Sequence, residues 1–165
     1  MRQITSIGED LAGVTYTDRP TVKVVIHHDD KILILNNGLL PGGGVDAVET
    51  LQDAISRELQ EELGAVVNNI EEIGLVEQFR PFLEKRYLVY GYTAELVEFT
   101  GNLNPQNEGE ANFIPHWVTK DEALNIITAS IEELIASTPS FDSDATQAKL
   151  RNLMTSYEII KASAN

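Results

Sequence analysis

Hydrophobic and polar positions along this chain alternate between two periods. Thr21–His28 (TVKVVIHH) and Lys31–Leu35 (KILIL) are short runs rich in β-branched residues, and with Asp29-Asp30 between them they predict a hairpin. Asn36-Asn37-Gly38 makes a second turn. From residue 51 the period changes to that of a helix, with Leu51, Ala54, Ile55, Leu59 and Leu63 forming one apolar stripe. Thr50 stands at the N-cap, Asp53 follows as a short capping-box partner, and Gly64 is a C-terminal stop. Ile70–Gln78, Tyr87–Val97 and Phe113–Val118 then read as strands, the second long and central. Thr119 opens a helix reaching Thr138, with Ala123, Leu124, Ile127, Ile131, Leu134 and Ile135 as its stripe and Pro139 after it. A last helix is expected from about 143 to 162, with Ala148, Leu150, Leu153, Met154, Tyr157 and Ile160 as apolar members. The first twenty residues carry no clear period; a short strand around Gly13–Thr17, ended by Asp18-Arg19-Pro20, is the expectation there. Strands, helix, strands and two helices in that order predict an α/β (α+β) fold with a mixed sheet packed between helices.

Composition narrows the class. A length of 165 residues fits one domain, 1–165, with a substantial core, and 42% hydrophobic with 23% charged residues is ordinary for a globular protein. The net charge of −14 weighs against a long nucleic-acid partner, whose backbone needs a basic surface. It does not exclude a small phosphorylated substrate, because bound metal ions can supply local positive charge. The chain has no cysteine, which removes disulfides, thiolate nucleophiles and zinc–thiolate sites and fits a reducing cytoplasm. The start, MRQITSIGED, lacks the apolar core of a secretory signal. No apolar run approaches the ~18–20 residues needed to span a bilayer, so no membrane partner is expected. Nothing in the pattern fixes the oligomeric state, and a homodimer is allowed.

The first helix carries a local conflict. At roughly 100° per residue, Glu58 and Glu62 project within about 40° of each other, and Glu61 lies about 60° from Glu58. All three sit at the margin of the buried face. Like charges at i,i+3 and i,i+4 cost ~0.2–0.5 kcal/mol per pair on a bare helix, and more when desolvated. Acids at a helix C-terminus also oppose the macrodipole. Arg57 can neutralise one acid but not three. A hard divalent cation with oxygen ligands is the natural compensation. Ahead of the helix, Pro41 followed by Gly42, Gly43 and Gly44 lets backbone approach a ligand closely.

These residues carry a resemblance. Gly43-x5-Glu49-x7-Arg57-Glu58-Leu59-x-Glu61-Glu62-Leu63-Gly64-Ala65 resembles the Nudix box, the signature of the Nudix hydrolase family. Seven fixed positions would coincide by chance well under once in ~100,000 such chains at average residue usage. The departure is Ala65, where the family usually has a bulkier aliphatic residue. The resemblance covers residues 21 to about 136 and leaves the final helix unmatched. It implies a Nudix-type α/β/α sandwich and a metal-dependent hydrolase of a phosphoanhydride bond in a nucleoside diphosphate linked to X. It also implies that Glu58, Glu61, Glu62 and the Gly42 carbonyl hold Mg²⁺ or Mn²⁺, and that Arg57 and Glu49 pair to hold the box. The resemblance further implies an extra glutamate, as ligand or base, in the loop before the Trp117 strand, with Glu110 the first candidate and Glu108 the second; whether Glu58 or Glu110 is the general base stays open. Pro81, sixteen residues beyond the box, is similar to a proline of members that split ADP-ribose, so an ADP-ribose-like or nucleotide-sugar substrate is favoured.

Other features bear on the substrate. Phe79–Arg86 (FRPFLEKR) is the chain's only basic concentration, and Arg80, Lys85 and Arg86 interleaved with Phe79, Phe82 and Tyr87 suit a nucleotide. His27 and His28 are neighbours on a strand, point to opposite faces and so do not make a metal pair. Trp117 is expected in the core. Alternatives are a nucleoside triphosphate pyrophosphatase of the housecleaning type, a non-catalytic nucleotide-binding sensor, and an interaction domain with a vestigial box.

Overall fold

A computed structural model describes residues 1–101, 113–138 and 144–164. Its elements in chain order are β1 (Gln3–Ile7), β2 (Thr17–His28), β3 (Lys31–Leu35), α1 (Leu51–Leu63), β4 (Ala65–Arg80), β5 (Lys85–Phe99), β6 (Pro115–Val118), α2 (Lys120–Ser137) and α3 (Asp144–Ala162). The strands form one mixed sheet in the order β1-β4-β5-β2-β3-β6. β1 is parallel to β4 and β2 to β5, while the other neighbours are antiparallel.

Alternation in the central strands sorts side chains between two cores. Val22, Val24 and Ile26 of β2 and Leu33 and Leu35 of β3 pack with Ala54, Ile55, Leu59 and Leu63 of α1 on one face. Val25, Ile32, Ile34, Val76 and Val89 pack with Ala123 and Ile127 of α2 and Leu153, Ile159 and Ile160 of α3 on the other. The sheet is therefore covered on both sides, an α/β/α sandwich. That double burial explains why β2 and β3 read as nearly unbroken apolar runs. The two cores also stabilise the helices, since the capping boxes of α1 and α2 would contribute only about 1 kcal/mol each.

The structure departs from expectation in three places. Gly13–Val14 is not strand; Thr17 instead begins β2, which continues through Asp18-Arg19-Pro20 rather than stopping there. Pro20 is tolerated because alternate backbone groups of β2 face a loop instead of β5: Val22 and Val24 donate to the carbonyls of Gly43 and Pro41, and Pro20 needs no donor on that side. β1 was invisible because its sequence, QITSI, is mostly polar, and it exists through parallel pairing with β4 seventy residues away. On the helices, Ile135 and Met154 lie at the surface, whereas Ile159, Thr155 and Ser156 take buried positions on α3.

Candidate active site

The site begins with a loop used as an irregular sheet edge. Residues 41–45 run beside β2, held by Val22 N–H to Gly43 O (2.9 Å), Val24 N–H to Pro41 O (3.0 Å) and Val45 N–H to Pro20 O (3.1 Å). Gly42 has φ +117°, and a Cβ there would fall 2.4 Å from the Val22 carbonyl oxygen, so no side chain fits. A Cβ on Gly43 would fall 2.5 Å from Oε2 of Glu58. The missing side chain is what lets the carboxylate reach the loop.

Helix α1 brings the acids to that loop. Thr50 and Asp53 form the expected capping box, and Gly64 closes the helix in the left-handed conformation at φ 60°. Glu58 and Glu62 are buried at 8% exposure each, which is rare for a carboxylate and is compensated by specific partners. Glu62 Oε2 accepts from the Gly42 N–H at 2.8 Å. Arg57 spreads over the rest. Its Nε donates to Glu49 Oε1 (2.8 Å) and its Nη2 to Glu49 Oε2 (2.9 Å) and the Gly44 carbonyl (2.8 Å). Its Nη1 donates to Glu58 Oε1 (2.8 Å) and Glu61 Oε2 (3.1 Å). One guanidinium thus ties three acids to the glycine loop with its five donors.

A residue unremarked in the sequence completes this arrangement. Lys23 of β2 donates from Nζ to the carbonyls of Leu40 (2.8 Å) and Gly42. The Gly42 carbonyl expected to serve a metal therefore accepts from an ammonium here. Burial depresses the Lys23 pKa, partly offset by the charges of Glu62 and Glu58. Burial raises the Glu58 carboxyl above the ordinary value, while Arg57 pulls it back. Glu49 is held at about 2 by the Arg57 bonds and the Asp46 N–H, and Arg57 is raised in turn. Glu49, Glu58, Glu61 and Glu62 set against Arg57 and Lys23 leave two negative charges in excess when all are ionised, which is the charge of one divalent cation. Among the described residues no three His, Asp or Glu side chains converge as a ready metal cage. The hard carboxylate and carbonyl oxygens nevertheless fit such an ion by their chemistry.

The acids open into a cleft of two adjoining hollows, about 320 Å³ on the side of the acids and about 330 Å³ on the other, that differ in charge. One half is bordered by Glu58, Glu62, Phe113 and Ser156, the other by Arg19, Arg80, Tyr87, Gln78 and Thr155. Lys23, Gly42, Gly43, Gly44 and Asn152 border both. Arg80 lies 4.1 Å over the Tyr87 ring and donates to Gln78 Oε1 (3.0 Å) and Asn152 Oδ1 (3.2 Å). Gln78 Nε2 donates to Thr155 Oγ1 at 2.5 Å, and the Leu40 N–H donates to Ser156 Oγ at 3.1 Å.

Strand alternation divides the basic segment. Arg80 faces the cleft. Phe79 is buried on the other face against Tyr16, and Arg86 lies on that face in a two-pronged bond with Asp18 (2.7 and 2.8 Å). That bond lowers the Asp18 pKa. Lys85 is exposed, and Phe82 is 80% exposed in the turn that Pro81 opens. Glu108 and Glu110 lie outside the described residues. His27 is half-buried with a depressed pKa from burial, and His28 is exposed with its ring 5.6 Å from that of half-buried Trp117, so the two histidines share no site.

Sequence reasoning missed Lys23, Arg19, Gln78, Asn152, Thr155 and Ser156. For Lys23 a signal existed: it is a single charge inside the apolar run Val22–Ile26 of a strand buried on both faces. The α3 residues had a weaker one, two small polar residues on a helix face otherwise apolar.

A mixed sheet packed between helices in this way is the fold of the Nudix hydrolases, which act on nucleoside diphosphate derivatives. The family model of the NUDIX domain matches residues 17–137, and the chain belongs to that family. Its members act on small nucleotide substrates and generally need divalent metal ions. Three solved structures share the fold. The NUDIX hydrolase from Nitrosomonas europaea has 18% identity and a TM-score of 0.52, over 84% of this chain and 90% of that one. A MutT NUDIX hydrolase from Burkholderia pseudomallei has 20% identity and a TM-score of 0.51, over 82% and 98%. The E. coli ORF135 protein has 24% identity and a TM-score of 0.50, over 67% and 79%. No curated protein matches the chain.

Proposed function

We propose that this hydrolase cleaves the phosphoanhydride bond of a nucleoside diphosphate linked to a second group, with ADP-ribose or a nucleotide sugar as the substrate class. The observation that carries the reading is the pair of buried carboxylates, Glu58 and Glu62, set against the glycine loop where the cleft passes from an acidic to a cationic half. Glu58, Glu61 and Glu62, with the Gly42 carbonyl, would hold Mg²⁺ or Mn²⁺. Such an ion, when bound, neutralises charge on the bridging phosphates and lowers the pKa of water.

The chain's own groups have separable tasks. Arg57 fixes the directions of Glu58 and Glu61, and Glu49 holds Arg57. Glu58, pushed toward its protonated form by burial, is suited to accept a proton from an attacking water; Glu110 is the second candidate base. Arg80 and Arg19 place positive charge where a diphosphate enters, and Tyr87 offers a ring edge beside them. No helix of the described residues is long and apolar enough to cross a membrane, and the cysteine-free composition supports a cytoplasmic setting.

The test is a panel of ADP-ribose, nucleotide sugars, dinucleoside polyphosphates and nucleoside triphosphates with Mg²⁺ or Mn²⁺, products identified by mass. Glu61→Gln and Glu62→Gln are expected to fold normally and lose metal-dependent turnover by ~100-fold or more. Turnover confined to triphosphates would replace the substrate class with the pyrophosphatase alternative. Wild-type rates in both variants would remove the proposed roles of the acids.

A further inference from the structure

Lys23 is the residue at this site that the reading above leaves without a task. Its strand position is fixed by β2, its ammonium donates to the carbonyls of Leu40 and Gly42, and Glu58 and Glu62 act on it electrostatically. It borders both halves of the cleft. We infer that Lys23 is a tethered internal cation that holds the Gly42 carbonyl in the metal-free enzyme, must withdraw when a divalent ion takes that oxygen, and thereby sets the metal affinity of the site. The inference rests on the reading that the Gly42 carbonyl is a metal ligand.

Geometry and charge support it together. A carbonyl oxygen has two lone pairs, so shared use is not barred by valence. An ammonium and a doubly charged ion on one oxygen would, however, stand a few ångströms apart in a poorly solvated pocket, repelling about twice as strongly as two unit charges. The ammonium is mobile in a way a backbone dipole is not, because it ends a flexible four-carbon stem. It also has somewhere to go. Lys23 borders the hollow that Arg19 and Arg80 line, so on turning from the two carbonyls it would enter that half of the cleft, where the diphosphate of a substrate would receive it. Metal uptake and the supply of a phosphate-facing charge would then be one motion. The Gly42 N–H donates to Glu62 Oε2, which ties the loop to α1 on the other side of the same residue.

The test uses the full chain and Mn²⁺ alone, titrated by calorimetry. Lys23→Met is expected to bind Mn²⁺ roughly tenfold or more tightly than wild type, because no ammonium has to be displaced or tolerated. Adding Glu62→Gln should abolish the uptake in either background, which places the ion at this site. Thermal melts supply a readout that a merely structural lysine would not give. With EDTA, Lys23→Met should melt below wild type, since the Leu40 and Gly42 carbonyls lose their donor, and Mn²⁺, taking the Gly42 oxygen, should narrow that gap. A packing role would lower both melts equally. If Lys23→Met does not fold, Lys23→Gln takes its place with the same expected direction. Equal or weaker Mn²⁺ binding in the variant, with wild type still binding, overturns the role of Lys23 and leaves the metal site standing. Absence of Mn²⁺ uptake in both overturns the two together.

Discussion

Arg57→Ala is the substitution that tests the architecture of the site most directly. Arg57 directs five hydrogen bonds of 2.8 to 3.1 Å at Glu49, Glu58, Glu61 and the Gly44 carbonyl. Counting each charge-assisted bond at about 1.5–3 kcal/mol would give a sum near the whole stability of an average domain, so simple addition fails. The bonds share one cation, and the acids regain solvent when it leaves. The side chains of Glu49, Glu58 and Glu61 are 12%, 10% and 15% exposed, and that of Arg57 is 29% exposed. This lies between a surface pair worth about 0–1 kcal/mol and a buried one whose breaking costs about 3–5 kcal/mol. The expected loss is about 3 kcal/mol, or roughly 6–12 °C in Tm for a chain of this size. Urea unfolding with and without Mg²⁺ provides the assay. Mg²⁺ should recover part of the loss in Arg57→Ala, because the stranded acids gain another cation. A double-mutant cycle with Glu49→Gln should show coupling of at least ~1 kcal/mol. A loss below ~1 kcal/mol, or strict additivity with Glu49→Gln, would refute the picture of one guanidinium organising the acids.

Other outcomes follow from single contacts. Gly43→Ala puts a methyl 2.5–2.6 Å from the Glu58 carboxylate; since that is the end of a flexible side chain, the fold should lose less than ~2 kcal/mol, while displacing the acid should lower kcat by ~100-fold. Steady-state kinetics beside thermal melts separates the two effects. Glu49, held at about 2 against its ordinary 4.5, contributes stability that is present above pH 4.5 and lost as pH falls toward 2. That contribution is about 1–2 kcal/mol after solvent screening, and Glu49→Gln should flatten the acid limb of a stability–pH curve by that amount. Glu58 has the opposite sign: its raised pKa favours the fold at low pH, and that contribution is lost as pH rises through the folded value.

Much of α1 and the hairpin of β2 and β3 could be read in advance because their determinants are local. The capping box of Thr50 and Asp53, the Gly64 stop and the stripe from Ala54 to Leu63 lie within fifteen consecutive residues. The acids of the box were legible for the same reason, as a conflict within one helix. β1 was not legible, because a polar pentapeptide becomes a strand only when β4 offers it an edge. The basic segment misled because a run of sequence is not a surface: Arg80 and Arg86 face opposite sides of the sheet.

The amino-acid order by itself determined the box helix, its caps, the glycines before it and the chemical character of the acids, since each depends on neighbours a turn or two away. Only the tertiary structure decided that Lys23 shares the Gly42 carbonyl, that Arg19 and Arg80 meet in one hollow, and that α3 closes the cleft with Asn152, Thr155 and Ser156. Those groups come from β2, β4 and a helix more than a hundred residues beyond β2. Their meeting depends on how two cores pack against the two faces of one sheet, which no local pattern encodes.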